Sequence, residues 1–202
     1  MWWWIGLGLT LALYLLWIRP WQLRWGTTGD EASRPMPGDG LVPRPHFIAT
    51  RAVTVHAPPE AIYPWIRQIG FGRAGWYSYD WLDNFGRPSA EEILPQFQER
   101  KVGDLVPVYD KIGFHVEAME PPHWILWVGE GRYTTWLWIC IPQPDSTTRL
   151  ITRVRSHYRW LHPTILFSML IEFTDIIMMR KCLLGIKRRA EKLAAQQTGE
   201  TA

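Results

Sequence analysis

Residues 104–158 decide the fold, and they read DLVPVYDKIGFHVEAMEPPHWILWVGEGRYTTWLWICIPQPDSTTRLITRVRSHY. β-Branched and aromatic residues dominate this stretch, and short runs of Pro, Gly, Asp and Ser interrupt it, which is typical of strands joined by turns. Strands are predicted at 104–109, 113–120, 123–129, 133–142 and 147–158. Because the connections are too short for a crossover, neighbouring strands must run antiparallel. The stretch predicts a meander.

The segments on either side of this meander complete an α+β pattern. Residues 47–56 predict a further strand, and the prolines and acid that follow it predict a helix ending at Gly70. A short helix is expected at 89–94, and a long one from Pro163 to about Ala194. We therefore expect a curved antiparallel sheet of six to seven strands around a long C-terminal helix.

The composition limits the class of protein. The chain has 202 residues, of which 47% are hydrophobic and 14% aromatic, so it is too apolar for a disordered chain and suits one domain with additions. Its two cysteines, Cys140 and Cys182, are too few for a disulfide scaffold or a cysteine-rich zinc site.

The first 25 residues predict a membrane anchor. Residues 2–18 carry no charge, and as a helix they rise about 25 Å, close to the roughly 30 Å of a hydrocarbon core. A cleavable signal peptide is the competing interpretation, but there is neither a basic segment before the apolar run nor a small-x-small cleavage site after it. Arg19 and Arg24 follow the span, which favours a cytoplasmic location for the rest of the chain.

The chain after the anchor divides into three parts. Residues 26–46 contain four Pro and four Gly without a hydrophobic period, which predicts a tether extending from the membrane. Residues 47–195 are expected to form the folded domain. Residues 196–202 are expected to be a disordered tail.

The basic residues concentrate near the C-terminus, in Arg180, Lys181, Lys187, Arg188 and Arg189. Nucleic acid and anionic lipid both suit such a patch, and a solvated helix face is the alternative. Because the domain is expected to lie at a bilayer, where each cation near an anionic surface contributes about 1 kcal/mol, we interpret the patch as a membrane surface rather than a nucleic-acid site.

A cavity is expected between the curved sheet and the long helix, since one helix fills a concave face only partly. The alternative is that the tryptophans fill the core. Large apolar residues occupy both faces of strand 133–142, so one face must meet something besides the helix, with the membrane or a partner as the candidates. The candidate lining residues are Phe114, Val116, Trp124, Trp136, Trp138, Phe173 and Ile177.

Polar candidates for chemistry are few. Residues 70–75 match GxGxxG but follow a helix, so they are interpreted as a helix stop and loop rather than a dinucleotide site. His115 and Glu117 share a strand face and could transfer a proton, although a solvent-facing strand is the simpler explanation. No histidine spacing is typical of a metal site, and no cofactor is expected.

An aromatic segment with two acids forms a further candidate site. Asp80 and Asp83 would share a face of one helical turn, and a carboxylate beside tyrosines could orient a ligand hydroxyl. Alternatively, Asp80 caps a short helix and the aromatic rings pack beneath the loop. The candidate ligand-binding residues here are Trp76, Tyr77, Tyr79 and Asp80.

Three segments carry a resemblance to a known family: 57–61 (APPEA), 75–84 (GWYSYDWLDN) and 183–191 (LLGIKRRAE). Together with the element order, they resemble the SRPBCC superfamily, which includes START lipid-transfer domains and polyketide cyclase-like proteins, and within it the bacterial membrane-tethered members. The resemblance covers 47–195. It implies a helix-grip fold with a hydrophobic pocket and does not imply a reaction.

Three functions fit these observations. The first is a membrane-anchored binding or transfer domain for a hydrophobic or amphipathic, lipid-like molecule. The second is a cyclase or dehydratase acting on a hydrophobic substrate. The third is a non-enzymatic subunit or assembly factor of a membrane complex, with a membrane protein as its partner. The first is the favoured hypothesis.

Overall fold

The structure is a computed structural model that describes residues 2–158 and 164–199. An N-terminal helical segment precedes a six-stranded antiparallel sheet, and a long helix closes the chain. The strands are β1 (Phe47–Val55), β2 (Leu105–Tyr109), β3 (Ile112–Glu120), β4 (Trp124–Gly129), β5 (Thr134–Pro142) and β6 (Thr148–Ser156). The helices are α1 (Trp2–Leu13), α2 (Arg19–Leu23), α3 (Pro59–Arg67), α4 (Asp80–Asp83) and α5 (Thr164–Gly199), and a π-helical segment, Tyr14–Ile18, joins α1 to α2.

The sheet has the order β1-β6-β5-β4-β3-β2. β2 to β6 form the predicted meander, and β1 pairs with β6, so that Phe47 lies opposite Ser156 and Val55 opposite Thr148. The segment between β1 and β2 carries α3 and α4, and α3 packs against α5 and β5. The predicted α+β class, with an antiparallel sheet and a long C-terminal helix, is confirmed.

Two helical predictions need correction. Residues 89–94 are not helical, because the Gln68 side chain engages their backbone: its amide donates to the Glu92 carbonyl and its oxygen accepts from the Leu94 N–H. A single 3₁₀ turn, Pro95–Phe97, follows. The C-terminal helix extends beyond the predicted end at Ala194 to Gly199, and its predicted start, Pro163, lies outside the described residues.

Tryptophans and aliphatic residues fill the inner face of the sheet, which packs against α3 and α5. Trp127 and Trp138 are completely buried there. The Trp136 ring stacks on Trp76 with 5.6 Å between ring centroids and lies 5.3 Å from Trp127. Its indole N–H donates to the Thr152 hydroxyl at 2.7 Å. The rings therefore form a packed layer between the sheet and the helices.

Residues 26–46, which we name the strap, cover the outer face of the sheet. Met36 is buried with Leu126, Leu137 and Ile151. Gly38 adopts a φ of +84° over Leu126, whose methyl carbons would lie 2.6 Å from any added Cβ. The structure thus differs from the expected tether, since this segment packs against the sheet.

Arginines from β6 fix the strap in place. Arg149 binds the Glu31 carboxylate at 2.7 Å, and Arg153 binds Asp39 at 2.8 Å. Arg153 also donates to the Glu31 carbonyl at 2.9 Å and to Thr50. Burial acts to raise the pKa of Glu31, but hydrogen bonds from Arg149 and Thr28 outweigh it and lower the pKa below its usual range. The outer face is therefore held by paired charges.

The N-terminal helical segment is the one part of the described chain long and apolar enough to cross a membrane, over Trp3–Leu23. Its side chains are largely exposed, as a lipid-facing span requires. At its C-terminal end it joins α5: Arg19 binds Glu172 at 2.6 Å, and the Tyr14 and Phe173 rings stack 4.9 Å apart. Trp25, which follows the helical segment, makes a further contact with α5, since its ring centre lies 5.3 Å from the Arg180 guanidinium.

Candidate functional site

A groove of about 330 Å³ lies where the N-terminal helical segment ends against α5. One wall comes from α5, whose residues 177, 180, 181 and 184 recur at helical spacing and so share a face. Trp21 and Tyr79 close the other sides. The lining residues are Trp21, Tyr79, Ile176, Ile177, Arg180, Lys181 and Leu184.

Two cations stand at this groove, and each rests on an aromatic ring. The Arg180 guanidinium lies 5.3 Å from the centre of the Trp25 ring, and the Lys181 ammonium lies 3.8 Å from that of Tyr79. Both side chains are exposed, and neither forms an ion pair with a described residue. The aromatic contacts hold the cations in place while leaving N–H donors for an anionic group.

The short helix α4 positions Tyr79 at the groove. Asp80, its first residue, accepts hydrogen bonds from the Ser89 backbone N–H at 3.0 Å and the Ser89 hydroxyl at 2.5 Å. The Asp80 carboxylate therefore fixes the loop that follows α4 through its two hydrogen bonds with Ser89. The simpler interpretation of Asp80, that it caps a short helix, is wrong in this detail: Tyr79 occupies the N-cap position without a side-chain cap, and the Asp80 carboxylate binds the Ser89 loop instead.

Asp83, at the other end of α4, has no such partner. Neither of its carboxylate oxygens has a hydrogen-bond partner among the described side chains, and the nearby Ser78 hydroxyl donates instead to the Met178 carbonyl at 3.0 Å. Burial, together with a smaller contribution from the neighbouring Asp80 charge, raises the pKa of Asp83 to about 6. Keeping the Asp83 carboxylate ionised beside α5 therefore lowers the stability of the folded protein.

The predicted cavity residues separate into three groups. Trp76, Tyr77, Val116, Trp136 and Trp138 are buried in the inner-face layer, with Phe114 packed against it. Trp124 belongs to the outer face, beside Leu126, and its indole N–H donates to Glu120. Phe173 and Ile177 are 51% and 57% exposed. These last two lie on the side of α5 that faces the N-terminal segment, because the inner face is already occupied by the aromatic layer.

The predicted basic patch also divides. Arg189 is buried, lies over the Tyr77 ring and binds Glu91 at 2.6 Å, and Arg188 binds the same carboxylate at 2.8 Å. Lys187 donates to the Thr54 carbonyl at 2.8 Å. Arg189 and Lys187 fix α5 to the domain, whereas the Arg188 side chain is 66% exposed and adds little. Arg180 and Lys181 are the members of the patch that reach the groove.

The other polar candidates have structural partners. Gly70 and Gly75 pair across an antiparallel bridge, which confirms the loop interpretation of the GxGxxG match. Glu117 forms a two-pronged ion pair with Arg132, at 2.8 and 2.9 Å, instead of meeting His115. Within the described residues, no group of three His, Cys, Asp or Glu is placed to hold a metal ion.

The sequence reasoning missed Trp21, Ile176 and Leu184 as site residues. Trp21 falls within the 25 residues that predict the membrane anchor, and the contact between that segment and α5 joins residues far apart in the chain. The spacing of Ile177, Arg180, Lys181 and Leu184 on α5 was the available signal, since it places two cations between two apolar residues on one helix face.

No protein-family model matches the chain, and no curated protein matches it. Among solved structures, the Polyketide_cyc-like protein Cgl2372 from Corynebacterium glutamicum is 15% identical, with a TM-score of 0.44 over 70% of this chain and 89% of its own. The KanY protein is 11% identical, with a TM-score of 0.47 over 72% and 97%. The self-sacrificing resistance protein CalC from Micromonospora echinospora is 11% identical, with a TM-score of 0.41 over 73% and 96%. The similarity concerns the fold alone.

Proposed function

We propose that this protein is a membrane-anchored binding or transfer domain for an amphipathic, lipid-like molecule that carries an anionic group. The observation that carries the proposal is the groove at the junction of the N-terminal segment and α5. It combines an apolar wall, including Ile177 and Leu184, with two cations that have no described ion-pair partner. An apolar chain with an anionic head matches both features.

The two cations suit phosphate or carboxylate oxygens in different ways. The Arg180 guanidinium offers a planar fork of donors that fits two such oxygens at once, whereas the Lys181 ammonium acts as a compact point charge. Both lie near the end of the apolar segment at Leu23. A ligand could therefore pass between the groove and the bilayer surface with its apolar part never fully exposed to water.

The protein, in this proposal, crosses the membrane once and has its folded domain in the cytoplasm. The span over Trp3–Leu23 supports the anchor. Arg19 and Arg24 at its domain-side end favour the cytoplasmic orientation. The bilayer is then a constant partner, and its lipids are the first ligands to test.

The test uses the full-length protein in nanodiscs that contain equal amounts of phosphatidylglycerol and phosphatidylcholine. After mild extraction, native mass spectrometry counts the lipids that the protein retains. We expect near-stoichiometric retention of the anionic lipid by the parent chain. The Arg180→Gln/Lys181→Gln variant should lose affinity about 30-fold, since two cations contribute about 2 kcal/mol at an anionic group.

The matched control is Arg188→Gln/Lys192→Gln, which removes the same charge from exposed positions farther along α5. This control should retain the anionic lipid like the parent. Equal retention by both double variants, or equal retention of both lipids by the parent, would contradict the proposal. A tightly bound protein in place of lipid would favour the assembly-factor hypothesis.

A further inference from the structure

An antiparallel sheet has two ends, and the register shows which connections share an end. Phe47 and Thr134 both lie opposite Ser156, and Phe114 lies opposite Gly129. The β2–β3 turn at 110–111 and the β4–β5 connection at 130–133 therefore lie at the end of the sheet where β6 finishes. Tyr158 follows β6 there and donates to Glu172, the residue that Arg19 binds. This end of the sheet is thus the one nearest the N-terminal helical segment.

Exposed apolar side chains collect at this end, and we name them the rim. The Phe85 ring lies 5.2 Å from that of Tyr109, and Phe71 lies within 5.5 Å of both. Such a contiguous exposed aromatic cluster is uncommon on a protein surface that meets only water. The rim residues and their exposed fractions are Trp81 (72%), Leu82 (50%), Phe85 (66%), Tyr109 (50%) and Ile112 (71%).

The rim is continuous with the groove and hence with the N-terminal segment. Tyr79 lines the groove together with Trp21, and the Trp81 ring lies 6.5 Å from that of Tyr79. Trp81 and Leu82 follow Tyr79 closely in the chain, and Phe85 comes three residues after Leu82. A surface that begins at the end of a membrane-spanning helix lies at the level of that membrane's interface.

Cations accompany the aromatic rings of the rim. The Arg87 guanidinium lies 5.5 Å from the centre of the Phe71 ring, which packs against the rim rings of Phe85 and Tyr109. The turn next to Ile112 exposes Lys111 beside Asp110. Aromatic rings with flanking basic residues are the composition that favours the headgroup layer of a bilayer. A protein partner would also accept exposed rings, but the continuity with Trp21 favours lipid.

We infer that the rim rests in the interfacial layer of the same bilayer that the N-terminal segment spans, so that the domain sits with this end of its sheet on the membrane. The inference rests on the proposed anchoring. It extends that proposal because a domain on a flexible anchor would present no fixed surface to the bilayer, whereas here one surface always faces it. It places the mouth of the groove at the headgroups, where an amphipathic ligand enters.

The test places an environment-sensitive fluorophore on the full-length protein in phosphatidylcholine nanodiscs, with and without nitroxide-labelled lipid. Phe85→Cys and Ile112→Cys report from two separate elements of the rim. Ser146→Cys, exposed in the β5–β6 turn, is the matched control at the opposite end of β6, about 30 Å away along a nine-residue strand. Cys140 and Cys182 are buried, so the introduced thiol is the one labelled.

We expect nitroxide lipid to quench both rim labels at least twofold and to leave the Ser146→Cys label unchanged. Equal fluorescence with and without nitroxide at both rim positions overturns the inference, as does shielding of the rim by a second protein instead of lipid. Co-migration with the nanodisc separately reports the anchoring. The bilayer in this experiment is neutral, so its result does not depend on whether Arg180 and Lys181 retain anionic lipid. The two proposals can therefore fail separately.

Discussion

The two faces of the sheet are stabilised in different ways. The inner face packs aromatic rings such as Trp136 and Trp138 against α3 and α5. The outer face also carries apolar residues, but its binding to the strap depends on Arg149 and Arg153 of β6, each paired with an acid of the strap. The contrast teaches that aromatic packing dominates on one side, where the Arg51–Asp175 ion pair adds to it, whereas on the other side paired charges fix a covering segment with little regular structure.

The largest effect is expected on the inner face. Trp138 is completely buried, with its ring 5.8 Å from that of Trp127. Trp138→Ala should lower the free energy of unfolding by about 3–5 kcal/mol, because it removes apolar contacts and leaves a cavity. Urea unfolding of the full-length protein in micelles measures this.

Trp138→Phe is the matched control. It keeps an aromatic ring and deletes an indole N–H that has no acceptor among the described residues, so the loss should be about 1 kcal/mol. A loss from Trp138→Ala no larger than this would mean that the inner face is loosely packed, which would remove the contrast between the faces.

The next effect concerns the charges of the outer face. Asp39 is paired with Arg153, whose side chain is 3% exposed. Asp39→Ala should lower the free energy of unfolding by about 2–3 kcal/mol, because a buried guanidinium loses its counter-charge. Asp30→Ala, at an exposed position of the same strap, should change little, and equal losses in the two variants would show that Arg153 does not hold the strap.

A gain in stability is expected where a carboxylate near α5 lacks a partner. Since Asp83 has a pKa of about 6 in the folded protein, above that of an unfolded chain, the folded state holds more protons between these values and stability falls as the pH rises through them. Asp83→Asn should raise the free energy of unfolding by about 1 kcal/mol at pH 7.5, after allowance for partial solvent screening.

This gain should shrink as the pH falls below about 6 and vanish below about pH 3, where the parent carboxyl is protonated in both states, and thermal unfolding across that pH range measures it. Asp80→Asn should show the opposite sign, because it weakens the hydrogen bonds to Ser89. A loss of stability from Asp83→Asn at pH 7.5 would show that the Asp83 carboxylate has a partner in solution.

The smallest effect on stability is expected for a solvent-exposed ion pair. Glu117 and Arg132 form a two-pronged pair, but their side chains are 34% and 53% exposed. Glu117→Gln should leave the urea midpoint unchanged within error, since water replaces the lost interaction. A clear loss would mean that charge pairs stabilise this sheet wherever they occur, and not specifically beneath the strap.

The strands and helices were predictable to the extent that their signals are local. Alternation and turn residues located β2 to β6, and helical spacing located α3 and α5. The apolar residues on both faces of β5, such as Trp136 and Leu137, also indicated that something covers each face. The helix predicted at 89–94 is wrong because the backbone there binds the side chain of Gln68, which is remote from that segment in the chain.

The strap and the groove could not be predicted in the same way, because each joins residues far apart in the chain. The Pro/Gly-rich composition of the strap is typical of a tether, and nothing local pairs Glu31 with Arg149. Likewise, the groove requires Trp21 to meet Lys181 and Leu184. The composition of each segment could be read from the sequence, but the role of each residue depended on which distant residue it contacts.

The sequence by itself determined the α+β class, the antiparallel meander, the long C-terminal helix and the apolar N-terminal segment, since each follows from periodicity or composition over consecutive residues. Only the tertiary structure decided that the tryptophans form a packed layer, that residues 26–46 cover the sheet, and that Arg180 and Lys181 stand apart from Arg188 and Arg189. The physical reason is that burial and charge pairing depend on which distant residues meet.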